Sequence, residues 1–313
     1  MKIDIFSHIC TTNVLEALQK KAKTVLPSYV APGRPLTVID QRLRAMDRFP
    51  DVLQVLTMIN VPLSKRVLAT KDAIEVAKIA NDDIAELLVK YPAKFIAGVA
   101  CLPLADIDAS LKEAERAITQ MNFRGVQIFT NIDGESLGTP KFKPLYEMMA
   151  HYDLPIWIHP EGYPTSLAGD IVRLNMAGGF GWPFESTVAM TSLVEADIFR
   201  DYPNIKFIMH HCGGMISFYS LRIGMGSPWA RRVNDFHNFY VDTALHGNTA
   251  ALMCGYDYFG ADHLLFGTDA PLPQGADGFT LQTIRSIERM NIPEADKDKI
   301  FSDNALKLLK LVV

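Results

Sequence analysis

The sequence predicts an α/β protein in which eight parallel strands close into a (β/α)8 TIM barrel. Eight short apolar runs recur along the 313 residues, and longer stretches with helical spacing separate them. Most of these runs are apolar throughout rather than alternating, which is typical of parallel strands covered on both faces. Repeated βα units favour right-handed crossovers. A doubly wound open sheet is the rival fold, but no glycine-rich phosphate loop follows the first run.

The predicted strands are short and rich in β-branched and other apolar residues. They are 2–8, 52–59, 95–102, 125–130, 155–159, 205–210, 239–242 and 264–268. The predicted helices between them are 71–91, 106–121, 143–152, 185–202 and 279–290. Thr70 and Asp106 precede two of these helices and are the residue types that cap helix N-termini.

The whole chain, residues 1–313, is predicted to form one domain, because barrels of this size fold as single units. Long irregular stretches lie at 9–38, 161–183 and 269–278, and each follows a predicted strand. The loops that follow the strands of a barrel build its active site. We therefore expect these three insertions to surround the functional site.

Composition excludes several classes of function. Lys and Arg number 31 against 35 Asp and Glu, so no basic surplus suggests nucleic-acid binding. The four cysteines form no CxxC pair, which favours a reducing compartment. No apolar run reaches the length of a membrane span, and Asp4 interrupts any signal peptide. These features predict a cytoplasmic protein that acts on a small molecule.

Several polar residues stand at the carboxyl ends of predicted strands. His8 ends the first, His159 the fifth, His210 and His211 the sixth, and Asp269 follows the eighth. Each one alone is more typical of a structural histidine or a turn. In a closed barrel, however, these ends converge on one mouth, and imidazoles with a carboxylate are ligands for a Zn²⁺-like ion.

The chain resembles the amidohydrolase-related family that includes α-amino-β-carboxymuconate-ε-semialdehyde decarboxylase and γ-resorcylate decarboxylase. Short motifs spread over nearly the whole chain carry this resemblance, and they are specific only together. They are residues 3–8 (IDIFSH), 44–47 (RAMD), 125–128 (GVQI), 155–160 (PIWIHP), 183–186 (PFES), 211–214 (HCGG), 239–243 (FYVDT) and 266–271 (FGTDAP).

The resemblance implies a distorted (β/α)8 barrel with one divalent metal at its mouth. It implies His8, His159 and Asp269 as ligands, with zinc the usual ion, although this donor set also suits Mn²⁺. Alignment of the glycine pair places His211 at the catalytic acid/base position, with Asp269 as a second proton carrier, and leaves His210 a structural role. It implies a metal-dependent non-oxidative decarboxylase of a small unsaturated or aromatic carboxylic acid, and a homodimer.

The first strand departs from the family pattern. Relatives have His-x-His or Glu-x-His there, whereas this chain has Phe6-Ser7-His8. Three interpretations remain open. The ion keeps three protein ligands plus water, which is the favoured one; Cys10 becomes a ligand; or the barrel is metal-free and non-catalytic.

The substrate site and the reaction are less constrained by the sequence. The same metal site would also suit a hydrolase of an amide or lactone, or a hydratase. Binuclear relatives carry a lysine at the end of the fourth strand, whereas residues 125–129 contain none, which favours one ion. The candidates for contacting the substrate are Arg34, Arg124 and Arg222 for its carboxylate, Trp182, Phe184 and Tyr163 for an aromatic pocket, and His246 after the seventh strand.

Overall fold

The computed structural model describes residues 1–161, 176–225, 232–273 and 278–312. All eight predicted strands are present, and the third is split by one residue. The strands are β1 (Lys2–Ile9), β2 (Val52–Met58), β3 (Phe95–Gly98), β4 (Ala100–Cys101), β5 (Val126–Phe129), β6 (Asn131–Ile132), β7 (Glu135–Ser136), β8 (Ile156–His159), β9 (Phe207–Met209), β10 (Tyr240–Asp242) and β11 (Leu264–Leu265). The antiparallel hairpin β6–β7 was not predicted.

The strands close into a ring. β1, β2 and β3 form one parallel sheet, and β4, β5, β8, β9, β10 and β11 form a second. β3 and β4 belong to one extended segment, which joins the two sheets. At the other seam, the Ile5 amide donates to the Phe266 carbonyl at 2.9 Å and the His8 amide donates to the Ala270 carbonyl at 2.7 Å. The predicted barrel is therefore confirmed.

The helices surround this ring. The α-helices are Thr12–Lys21, Ile39–Met46, Thr70–Lys90, Ile107–Met121, Lys143–Tyr152, Trp182–Glu195, Ile198–Asp201, Ile216–Gly224, Thr249–Phe259, Thr280–Glu288, Glu294–Asp298 and Asn304–Leu308. Short 3-10 or π-helical segments are Pro140–Phe142, Ala177–Gly181, Val233–Asn238, Ala261–His263 and Lys299–Asp303.

Three details differ from the sequence prediction. Asp106 caps its helix through the Ala109 amide as predicted, but Thr70 lies inside its helix, which has no side-chain cap. The predicted helix 185–202 is two helices, because Asp197 takes a left-handed backbone conformation between them. The stretch 9–38 is not irregular throughout, since it contains helix Thr12–Lys21.

The interior of the barrel is filled by side chains. Trp157 of β8 reaches across it, and its indole Nε1 donates to the Ile5 carbonyl of β1 at 2.9 Å. The C-terminal helix packs against this group of buried residues. The cluster includes Ile3, Val55, Val99, Trp157, Ile208, Leu265, Ala305 and Leu308. The filled interior leaves the carboxyl ends of the strands as the place for a site.

The expected insertions are only partly described by the structure. Residues 162–175 of the second insertion, with Tyr163, and 274–277 of the third lie outside the described residues. Within the described residues, no helix is long and apolar enough to cross a membrane. All four cysteines are free thiols.

Gly98 of β3 provides a test of how tightly the helices pack on the barrel. A Cβ atom there would lie 2.8 Å from Phe123 Cε1 and 2.9 Å from Ile84 Cγ2. We expect Gly98→Ala to lower the free energy of unfolding by about 1–3 kcal/mol, because both neighbours are buried and must shift. The matched control is Gly178→Ala, because Gly178 is exposed and its new methyl would approach the Trp182 ring no closer than 3.6 Å. Urea unfolding of the two variants checks this, and equal midpoints would contradict the packing described.

Candidate metal centre

The ends of the barrel strands bring four imidazoles and a carboxylate together. His8 Nε2 lies 3.0 Å from Asp269 Oδ1, and His210 Nε2 lies 3.5 Å from the same oxygen. Donor atoms of His8, His159 and His210 all lie within 4.8 Å of one another. The same holds for His210, His211 and Asp269. All five side chains are buried, and their donor chemistry fits a single divalent cation.

Hydrogen bonds behind the rings orient three of these imidazoles. His8 Nδ1 contacts Thr57 Oγ1 at 3.0 Å, His159 Nδ1 donates to its neighbouring Pro160 carbonyl at 2.7 Å, and His210 Nδ1 contacts the Asp242 carboxylate. In each ring, Nε2 is thereby left to face the centre. Such partners behind the ring are typical of metal-ligating histidines, because they select the tautomer and fix the ring plane.

Three site residues have left-handed backbone conformations. His211 has φ 54°, His246 has φ 52° and Asp269 has φ 64°. This conformation is uncommon for residues with a Cβ atom and persists only where surrounding structure imposes it. His211 lies just after the end of β9, and its ring stacks on the His210 ring at a centroid distance of 3.8 Å. The His211 Nδ1 atom is buried without a hydrogen-bond partner.

Burial and mutual charge control protonation at the centre. Burial, followed by the neighbouring His210 and His8, holds the pKa of His159 well below its usual value. Burial likewise lowers the pKa of His211 and of His8. Burial opposes ionisation of Asp269, but the neighbouring His210, His246 and His8 imidazoles hold its pKa well below its usual value. Mostly neutral imidazoles around a carboxylate make a site that attracts a cation.

His210 differs electrostatically from the other imidazoles. Burial would lower its pKa, but Asp242 and Asp269 outweigh burial and raise the pKa to about 9. Sequence analysis predicted a structural role for His210, yet its ring lies inside the cluster with Nε2 toward Asp269. Its position one residue before the aligned His211 was the only available signal.

Buried polar groups hold the chain on both sides of His8 and Asp269. The Asp4 carboxylate accepts hydrogen bonds from the Thr268 amide at 2.9 Å, from the Thr268 hydroxyl, and from the Ser7 hydroxyl at 2.7 Å. Burial raises the pKa of Asp4 to about 6. The buried Arg42 guanidinium donates to the His8 carbonyl. These contacts set the position of His8 relative to Asp269.

Flat side chains form the rim of the cluster. The Trp182 indole lies nearly parallel to the His211 ring at 5.6 Å. The half-exposed His246 places Nε2 3.6 Å from Asp269 Oδ2 and stacks on Phe279 at 3.7 Å. Phe279 was missed because in the sequence it is one more apolar residue at a helix start.

An acidic edge beside His159 was also missed. Glu161 is buried one residue beyond Pro160, and burial raises its pKa to about 7. Its Oε1 lies 3.5 Å from Arg66 Nη1. Thr130 Oγ1 accepts from the Glu161 amide and donates to Glu185 Oε2, both at 3.1 Å. The spacing of Arg66, Thr130, Glu161 and Glu185 along the sequence does not indicate that these residues meet.

Other candidates from the sequence lie away from the cluster. Arg34 and Arg222 are exposed, and within the described residues no contact joins either guanidinium to the histidines. Cys10 packs in a separate apolar cluster with Val14 and Leu15, and the metal-ligand groups found among the described residues contain no cysteine. The geometry therefore gives Cys10 no part in the site.

Comparisons with known proteins find a matching family model and similar decarboxylases. A family model described as "Amidohydrolase" matches residues 35–311. A γ-resorcylate decarboxylase of Polaromonas sp. (strain JS666 / ATCC BAA-500) is 30% identical over 307 residues, covering 89% of each chain. A 2-amino-3-carboxymuconate-6-semialdehyde decarboxylase of Dictyostelium discoideum is 28% identical over 87% of this chain and 76% of that protein. A crystal structure of 2,6-dihydroxybenzoate decarboxylase complexed with 2,6-dihydroxybenzoate has a TM-score of 0.81 at 26% identity, covering 99% of each chain.

Asp4 allows a test of the support beneath the site. We expect Asp4→Ala to lower the free energy of unfolding by about 3 kcal/mol or more, because it leaves the buried Thr268 and Ser7 donors without their acceptor. Asp257→Ala is the matched control, since Asp257 is exposed on helix Thr249–Phe259. Denaturant titration measures both, and a loss no larger than that of the control would show that Asp4 does not join β1 to the segment before Asp269.

Proposed function

Because the chain belongs to the amidohydrolase family, we propose that it is a metal-dependent, non-oxidative decarboxylase of a small aromatic or unsaturated carboxylic acid. The family relationship predicted from the sequence is confirmed, and the chain is an enzyme of that family. The observation that carries the proposal is the buried Asp269 carboxylate, which His8, His210 and His246 approach at the barrel mouth.

We propose that His8, His159 and Asp269 bind one divalent ion. Zinc and manganese both suit imidazole and carboxylate ligands, and we expect zinc on the ligand set. When bound, the cation supplies positive charge that stabilises negative charge on the oxygens of the substrate. Arg34 and Arg222 are exposed. We therefore propose that the cation, rather than either arginine, binds the carboxylate of the substrate.

The remaining side chains provide proton transfer. His211 lies against the cluster and its buried Nδ1 has no hydrogen-bond partner, so it is the group proposed to carry the proton to the carbon that bears the carboxylate. Because burial lowers its pKa, His211 gains this proton only in passing and gives it up readily. The new C–H bond makes that carbon tetrahedral; the C–C bond to the carboxylate then breaks, its electron pair restores the π-system, and CO2 leaves. Each turnover consumes one proton. Asp269 and the half-exposed His246 connect His211 to solvent.

The rim supports a flat substrate. Trp182 and Phe279 present rings beside His211 and His246, and aromatic faces pack well against a planar conjugated acid. This arrangement favours an aromatic acid over a saturated one. Decarboxylation and hydrolysis of an aromatic lactone would both suit this rim, and the two reactions are distinguished by their products.

His211 and the ion can be tested directly. With hydroxybenzoates as substrates, we expect the wild-type enzyme to release CO2 and the corresponding phenol, and chelation to abolish turnover until Zn²⁺ or Mn²⁺ is restored. His211→Gln should lower kcat about 10²–10⁴-fold, because it removes the proton donor. His263→Gln is the control. His263 immediately precedes β11, at the amino ends of the strands and away from the cluster, and its Nδ1 donates to the Phe239 carbonyl. A ring-opened acid without CO2 would identify a hydrolase instead.

We also propose that the protein is a cytoplasmic homodimer. The four free thiols suit a reducing compartment. Phe218 and Leu221 stand exposed one turn apart on helix Ile216–Gly224, which adjoins the helix carrying the exposed Val188. Grouped exposed apolar side chains are typical of an interaction surface.

The dimer surface can be tested by mutation. Leu221→Glu should convert the protein to a monomer, because it places a charge in an apolar contact. Lys71→Glu, on an exposed helix face, serves as the control. Sedimentation velocity reports the mass of each, and a dimer that persists in Leu221→Glu would place the interface elsewhere.

A further inference from the structure

We infer that His210 is a fourth protein ligand of the cation, and that it replaces the donor which Phe6 cannot supply. The inference rests on the proposed metal centre and adds a ligand to it. In the interpretation favoured by the sequence, a water molecule completes the coordination of the ion. Here His210 takes the place of that water.

Phe6 lies where the missing donor is expected. Its ring centroid is 5.8 Å from that of His8 and 6.1 Å from that of His159, and the side chain is fully buried. The Phe6 ring stacks on the His210 ring at 3.9 Å with an interplanar angle of 16°. The apolar residue at position 6 thus supports the imidazole of His210 beside the other histidines.

The free nitrogen of His210 faces the other donors. His210 Nε2 and His8 Nε2 are both buried, and each approaches the Asp269 carboxylate without making a well-formed hydrogen bond to it. Two donors that bind one ion at about 2.1 Å lie at most about 4.2 Å apart. The 3.5 Å between His210 Nε2 and Asp269 Oδ1, and the 3.0 Å between His8 Nε2 and the same oxygen, already satisfy this limit. An unpartnered buried nitrogen is costly unless something occupies the space before it.

Asp242 fixes the His210 ring from behind. The Asp242 carboxylate contacts His210 Nδ1 and accepts hydrogen bonds from the Ala244 amide at 2.9 Å and the Cys212 amide at 3.3 Å. Gly267 leaves room for it, since a Cβ there would lie 2.9 Å from Asp242 Cβ. A carboxylate behind a histidine is a recurrent support of metal ligands. Asp242 is therefore a positioning residue for His210.

The rival ligand is His211, because its donor atom also lies within 4.8 Å of those of His210 and Asp269. The left-handed backbone at His211 places its ring against Trp182, and among the described residues the donor group that contains His8 and His159 includes His210 and not His211. We therefore assign metal binding to His210 and proton transfer to His211.

Metal affinity, measured without turnover, separates the two histidines. Stripped full-length wild type, His210→Gln and His211→Gln are titrated with Co²⁺, following the visible absorption band, and with Zn²⁺ against a chromophoric chelator. We expect His210→Gln to weaken Zn²⁺ binding by at least 100-fold and to alter the Co²⁺ band. We expect His211→Gln to change affinity less than tenfold. Asp242→Asn should weaken binding 10–100-fold, as loss of such a support does.

A rescue variant guards against loss of folding. Phe6→His in the His210→Gln background returns a donor to the first strand, and we expect it to recover most of the lost affinity while circular dichroism stays that of the wild type. Wild-type affinity and spectrum in His210→Gln would overturn the inference while leaving the proposed metal centre intact. Absence of metal binding by the wild type would overturn both, whereas a larger loss in His211→Gln would assign the ligand to His211.

Discussion

The contact between the first and the last strand segment of the barrel determines whether a site exists at all. Asp4 and Thr268 are 264 positions apart in the chain, and their buried hydrogen bonds join β1 to the segment that leads into Asp269. The backbone bonds beside them place His8 opposite Ala270. Without this seam, the carboxylate and the first histidine would not meet.

Concentrating so many polar groups in one buried place is unfavourable unless they satisfy one another. Burial opposes charge on Asp269, and the three surrounding imidazoles offset that cost. The left-handed backbone at His211 and Asp269 adds conformational energy that the packed barrel must hold. The centre therefore combines an electrostatic cost, which a bound cation would reduce, with a conformational cost that the surrounding packing sustains.

Two consecutive histidines at the end of β9 face different neighbours. His210 stacks on Phe6 and is held by Asp242, whereas His211 stacks on Trp182 near the rim. The turn between them changes the direction of successive side chains, so residues adjacent in sequence reach different layers of the site. A phenylalanine in the first strand is then compatible with metal binding, since the end of β9 carries an additional imidazole.

The sequence alone determined the barrel, the eight strands and the positions of His8, His159, His211 and Asp269. The spacing of apolar residues and the placement of polar residues at strand ends are local features, so they can be recognised in the sequence. It did not determine the role of His210, because the alignment of the glycine pair favoured the neighbouring His211. The role of His210 depends on the distance from its Nε2 to Asp269 and on the contact of its Nδ1 with the Asp242 carboxylate. Such distances are set when strands far apart in sequence pack together, so only the tertiary structure decided them.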